Sequence, residues 1–232
     1  MSHYFITATD TDAGKTFISS MLLQTASESE LKCFGYKPVA SGCEKSTDGL
    51  RNDDALQIQA ASSIDLPYEQ INTYSFKPAI APHIAAMDSG VAIDLTKITH
   101  QYLELRKRYQ PDFSLVEGVG GWMVPLDEHC GIPELAKSLE LPILVVVKIK
   151  LGCINHALLT INAIRAQGLS IKGWIANAVL DDSVSQANIQ AIQQRTEVPL
   201  LGTISLYNNR TDNDSQKQLE FKKLLAALTA IS

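Results

Sequence analysis

Ala8-Thr9-Asp10-Thr11-Asp12-Ala13-Gly14-Lys15-Thr16 is the stretch on which the fold turns. Before it lies Tyr4-Phe5-Ile6-Thr7, a short β-prone run; after it Phe17, Ile18, Met21, Leu22 and Thr25 recur at helical spacing. A strand that turns into a helix through small residues ending Gly-Lys-Thr has the geometry of a phosphate cradle. The first free amides of the helix and its positive end face the anion, and glycine admits close backbone approach. In that geometry Lys15 reaches the outer phosphates of ATP and the Thr16 hydroxyl sits on Mg²⁺. The common pattern also wants a glycine five residues before Gly14, where this chain has Thr9. A Gly-Lys-Thr can also merely open an ordinary helix, so the rest of the chain has to decide.

The 232 residues suit one α/β domain spanning 1–232. With 45% hydrophobic and 19% charged residues, the composition is that of a soluble globular protein. A net charge of -5 argues against general attraction to nucleic acid or an anionic membrane. Met1-Ser2-His3-Tyr4 has no basic region followed by a long apolar one, and Leu141 to Val147 is too short to span a bilayer. The expectation is a cytoplasmic chain. Cys33, Cys43, Cys130 and Cys153 form no C-x-x-C pair, and the five histidines lack metal-ligand spacing. Cys153 reads as a small buried hydrophobe.

Further strands are expected at Lys32–Tyr36, near Ile71–Tyr74, and over Phe113–Glu117, Pro142–Ile149, Ile171–Asn177 and Pro199–Ile204. Residues 38–51 read as a loop. Helices are expected after Asp53-Asp54, after Pro82, from an Asp94 cap to Tyr109, from Pro133 to about Glu140, from Leu151 to Gln167, and over Val184–Arg195. A closing helix carries Leu219, Leu224, Leu225 and Leu228, beyond a polar connection at Asn208–Ser215. Strands alternating with helices across long crossovers imply a mostly parallel sheet with helices on both faces, the P-loop NTPase-like arrangement. Ligand groups then gather at the carboxyl ends of the strands: the loop, Lys37, Glu117, Lys148 to Lys150, and Asn177. Glu117, ending an apolar strand beside Gly118-Val119-Gly120-Gly121, is well placed to face magnesium, although a strand-capping glutamate at a turn looks the same. Asp53-Asp54 likewise suit a helix N-terminus.

Five stretches together resemble the dethiobiotin synthetase family: Thr9 to Thr16; Gly35-Tyr36-Lys37-Pro38-Val39-Ala40-Ser41-Gly42; Gly49 to Ala55; Val116 to Trp122; and Lys150-Leu151-Gly152-Cys153-Ile154-Asn155-His156. The resemblance runs over nearly the whole chain. It implies an ATP- and Mg²⁺-dependent ligase that converts 7,8-diaminopelargonate and CO₂ (or bicarbonate) to dethiobiotin, through a carbamate and a carbamic-phosphoric anhydride. Lys15, Lys37 and Thr11 would be catalytic, and Thr16, Asp54 and Glu117 would hold the metal. The nucleotide would lie on Asp12, Ala13, Gly14, Lys15, Thr16 and Phe17, on Gly118, Val119 and Gly120, and against Asn177-Ala178 and Ser205-Leu206-Tyr207, with Asp212 near it. The diamine would meet Thr11, Lys37, Ser41 and Lys150. Its carboxylate would be held by Leu151, Gly152, Cys153 and Asn155 of a partner subunit, which implies a homodimer.

Three positions depart from the family pattern: Ala8 stands for glycine, Asp12 for glutamate, and Lys148 for a small residue. Two rival readings share the loop. One is another P-loop amide-forming ligase, such as a cobyrinate-type amidotransferase ATPase domain, which needs a glutamine-hydrolysing domain beside it. The other is an ATP-driven partition switch, which carries an extra lysine where this chain has Asp10. A regulatory GTPase is disfavoured because Asn177-Ala178-Val179-Leu180 lacks the aspartate that reads guanine.

Overall fold

The computed structural model describes residues 1–178, 182–205 and 213–230. β1 (Ser2–Ala8) runs into α1 (Lys15–Glu28), as the opening stretch demands. β2 (Cys33–Tyr36), β3 (Val39–Ala40) and a hairpin of β4 (Glu44–Ser46) and β5 (Gly49–Arg51) follow, then α2 (Asp53–Ala61), α3 (Tyr68–Ile71), β6 (Tyr74–Ser75) and α4 (Pro82–Asp88). α5 (Leu95–Tyr109) leads to β7 (Phe113–Glu117), α6 (Ile132–Leu139) and β8 (Ile143–Ile149). α7 (Cys153–Ala166), β9 (Ile171–Ala178), α8 (Ser183–Gln193), β10 (Leu200–Ser205) and α9 (Asn213–Thr229) complete the order.

Six strands form one parallel sheet in the order β10-β9-β8-β1-β7-β2. Adjacent residues of a strand face opposite sides, and both members of such pairs are fully buried: Phe5 and Ile6 in β1, Val145 and Val146 in β8. Both faces are therefore covered, which is why these strands read as continuous apolar runs. The chain leaves β1 toward β2 on one side and later fills β8, β9 and β10 on the other. The carboxyl end of β1 is thus the switch point where open parallel sheets take ligands.

Two local expectations change. Ile71–Tyr74 is not a strand: α3 ends at Ile71, and only Tyr74–Ser75 pairs, with Val39–Ala40. The supposed loop at 38–51 holds β3 and the β4–β5 hairpin. Asp94 caps α5 as expected, accepting from the amides of Thr96 and Lys97. Of the polar connection at 208–215, residues 208–212 lie outside the described residues, and α9 takes up the remainder. No helix among the described residues is long and apolar enough to cross a membrane.

Away from the switch point, His3 Nδ1 meets Ser114 Oγ at 2.9 Å, and Ser114 Oγ meets the Tyr102 hydroxyl at 2.8 Å. Burial, then the Arg106 guanidinium and the N-terminal ammonium, push the His3 imidazole down from 6.5 to about 4. The unfolded chain binds a proton near 6.5 that the folded chain refuses, so the stability present above that pH is lost as pH falls toward 4. Thermal melts from pH 7 to pH 4 should show the midpoint dropping, and His3→Asn should make that drop shallower. An unchanged slope in the variant would remove His3 from the account.

Candidate active site

The loop between β1 and α1 is held by side chains from distant strands. Asp12 (φ 56°) and Gly14 (φ 91°) both occupy the left-handed region. Asn177, at the end of β9, donates from Nδ2 to the Ala13 carbonyl at 2.9 Å. Lys15, the first residue of α1, donates to the Gly120 carbonyl at 2.6 Å. Thr16 Oγ1 donates to Glu117 Oε1 at 2.8 Å. The α1 amides beyond Gly14 thus open toward a space bounded by the ends of β1, β7 and β9.

The charges there are concentrated and buried. Lys37, one residue past β2, donates to Glu117 Oε1 at 2.8 Å and to the Gly118 carbonyl at 3.1 Å, and lies 3.6 Å from Asp54 Oδ2. Lys37 is 3% exposed and Glu117 1%. Burial lowers the Lys37 ammonium, but the charges of Glu117 and Asp54 outweigh it and hold the group above the ordinary lysine value. Lys15 shifts the other way. Burial, reinforced by the nearby Lys37 charge, brings it down to about 8 despite Glu117, Asp54 and Asp12. Two lysines at one site are thereby set apart by their neighbours.

A cleft of about 750 Å³ opens over these groups. It gathers Thr11, Asp12, Gly14, Lys15, Thr16, Phe17, Lys37, Ser41, Asp54, Val119 and Gly120 from among the sequence candidates. Ala13 lies in the same loop, and Glu117 and Gly118 bind Lys37 behind the wall. Asn177 is buried against the loop, whereas Ala178 and Ser205 line a separate cavity of about 320 Å³. Lys150 does not line the cleft; it pairs with Asp10 at 2.8 Å, with both side chains partly exposed. Of the segment that follows, Leu151 is fully exposed, Cys153 is buried at the start of α7 and Asn155 is exposed. Leu206, Tyr207 and Asp212 lie outside the described residues.

Sequence reasoning missed Asn52 and the wall formed by Ala79, Ile80, Ala81 and Pro82. Asn52 had a legible signal, an Asx residue directly before a helical run; its Oδ1 accepts from the Ala55 amide and caps α2. The wall offers only apolar atoms, and a sequence gives no hint that such residues face a cleft.

Three buried acceptors or hydroxyls have no partner among the described residues: Glu117 Oε2, Asn177 Oδ1 and Ser41 Oγ. Each is polar, rooted in or beside the cleft, and costly to leave unmatched, as expected of groups that meet a ligand. Glu117, Asp54 and Thr16 present only hard oxygen atoms, the donor set that Mg²⁺ prefers. An anion at Lys15 and the α1 amides, with a second at Lys37, is the charge pattern this arrangement neutralises.

Comparison with known proteins agrees with this geometry. A family model described as an AAA domain matches residues 2–213. The chain is 43% identical over 225 residues to the ATP-dependent dethiobiotin synthetase BioD of Cellvibrio japonicus, covering 97% of this chain and 98% of that one. It is 42% identical to the BioD of Pseudomonas aeruginosa and 40% to that of Aeromonas hydrophila, each aligned over nearly the full length of both chains. Among solved structures it is similar to MinD in the MinC:MinD cell division complex of Aquifex aeolicus (TM-score 0.65, 15% identity, 100% and 97% covered). The cell division ATPase MinD of Pyrococcus furiosus superposes with a TM-score of 0.62 at 16% identity, over the full length of both. At such identities the likeness carries the fold alone.

Proposed function

This chain belongs to the ATP-dependent dethiobiotin synthetase family, and on that footing we propose that it closes the ureido ring of dethiobiotin from 7,8-diaminopelargonate and CO₂. It is an ATP-dependent ligase of biotin biosynthesis. The finer reading runs as follows. One amine of the diamine adds CO₂ and loses a proton to give a carbamate. The carbamate oxygen takes the ATP γ-phosphoryl group as the bond to the β-phosphate oxygen breaks. The second amine then attacks the carbamoyl carbon, phosphate leaves, and the ring is closed.

The observation that carries this reading is the pair of lysines in one cleft, on opposite sides of the space where two anions must meet. At about 4 Å and an effective dielectric of about 20, two unit negative charges repel by roughly 4 kcal/mol. Lys15 offsets this from the phosphate side, at the head of α1. Lys37 does so from the carbamate side, held charged by Glu117 and Asp54. Thr11 and Ser41 line the same cleft and are assigned to the diamine or its carbamate. Asn177 Oδ1 is assigned to the adenine amino group. Mg²⁺, held by Thr16, Asp54 and Glu117, would supply positive charge to the transferring phosphate. Positioning and charge neutralisation are nearly all that such a transfer asks of the protein.

The diamine's carboxylate is assigned to Gly152–Asn155 of a second copy. In support, this segment carries a fully exposed Leu151 and stands outside its own chain's cleft. Its α7 begins after Gly152, with first-turn amides free to meet an anion.

Purified protein supplied with ATP, MgCl₂, bicarbonate and 7,8-diaminopelargonate should release dethiobiotin and ADP in equal amounts. ATP turnover indifferent to the diamine, with no ureido product, would sink the proposal.

A further inference from the structure

Lys37 and Asp54 stand 3.6 Å apart, yet they come from different elements and neither is fixed by its own segment alone. A buried network behind the cleft joins those segments. Asn72, 4% exposed, uses all of its amide. Nδ2 donates to the Lys37 carbonyl at 2.7 Å and to the Tyr74 carbonyl at 3.2 Å. Oδ1 accepts from the Tyr68 hydroxyl at 3.0 Å and from Ser75 Oγ. The Tyr68 hydroxyl in turn accepts the Asn52 amide at 2.8 Å, and the Arg51 guanidinium lies 4.2 Å over the Tyr68 ring centroid. Asn52 then caps the helix that carries Asp54, and its Nδ2 donates to the Ser41 carbonyl at 3.2 Å.

We propose that Asn72 and Tyr68 are positioning residues, which set the Lys37 ammonium in register with the Asp54 carboxylate and Ser41 without touching the reacting atoms. Neither lines the cleft. The chain of contacts runs from the backbone of one catalytic segment to the backbone of the other, through side-chain atoms whose hydrogen-bonding capacity is filled. A fully satisfied buried network of this kind is rigid and fixes one geometry. Errors of about 1 Å in such geometry cost on the order of a hundredfold in rate. The proposal rests on the synthetase reading above, and the unmutated protein in the same assay tests that reading separately.

The experiment is a double-mutant cycle with Tyr68→Phe, which removes one hydroxyl and leaves the ring. With Lys37 present, Tyr68→Phe should lower kcat about tenfold with KM for ATP within about twofold. In a Lys37→Ala background the same change should cost less than about twofold, because the network then has no ammonium to place. A loss of packing lowers activity by the same factor in both backgrounds, and that result would overturn the proposal, as would full activity of Tyr68→Phe. Asn72→Asp keeps the acceptor for Tyr68 and Ser75 but removes both donors. It should repeat the pattern with a larger loss, and an equal factor in both backgrounds would again count against the idea.

Discussion

Lys37→Ala should lose about a hundred- to a thousandfold of dethiobiotin formation while remaining folded. The ammonium makes two hydrogen bonds and a near ion pair at the meeting point of two anions. Removing it restores a repulsion of roughly 4 kcal/mol, of which Lys15 relieves part. Each 1.4 kcal/mol is a factor of ten, which sets the range. The substitution also leaves Glu117 buried with one donor, Thr16 Oγ1, in place of two. Removing one member of a buried ion pair costs roughly 3–5 kcal/mol, and for a chain of this size each kcal/mol moves the midpoint by about 2–4 °C. Thermal melts should therefore show a clear drop, while circular dichroism at 25 °C stays native. Product formation measured at 25 °C separates the two effects. A wild-type rate would release Lys37 from its role, whatever happened to the melting point.

The sequence made the site legible where chemistry and position coincide. Lys37 and Glu117 each end a β-prone run, so a parallel sheet brings their side chains to one edge without further information. The Gly-Lys-Thr stretch gave the cradle, and its missing glycine proved no obstacle: Asp12 and Gly14 supply the left-handed turns on which the loop depends. What escaped notice depends on contacts that no local pattern records. Ile71-Asn72-Thr73-Tyr74 is β-prone, yet Asn72 follows a short helix because its amide bonds to the Tyr68 carbonyl and its side chain is pinned from four directions. The β4–β5 hairpin had a signal that went unread. Asp48-Gly49 is a turn pair, Gly49 takes φ 110°, and Ser46 Oγ accepts from the Asp48 amide and donates to the Gly49 carbonyl. Lys150 carries a charge that suggested the cleft, but a neighbouring carboxylate, Asp10, engages it at the rim. Whether a charged side chain reaches a site or is intercepted on the way is settled by tertiary placement.

Gly14→Ala should abolish measurable ATP binding, with a loss of at least about a hundredfold in affinity. Two independent constraints converge on this residue. Its φ of 91° is a conformation that costs an L-residue roughly 1–2 kcal/mol. A methyl group there would also sit 2.1 Å from Asn177 Nδ2 and 3.3 Å from its Cγ. Asn177 is buried and tethered to the Ala13 carbonyl, so it cannot move aside without breaking the bond that holds the loop. The loop must shift, and the amides that follow Gly14 shift with it. The two constraints can be separated. Adding Asn177→Ala to Gly14→Ala removes the clash but not the backbone strain. Thermal melts of the double variant should therefore recover part of the lost midpoint, while calorimetric titration with ATP stays blank because the loop is still misplaced. Full recovery of ATP binding in the double variant would mean that the clash alone is responsible and that the cradle tolerates a side chain at its tightest turn.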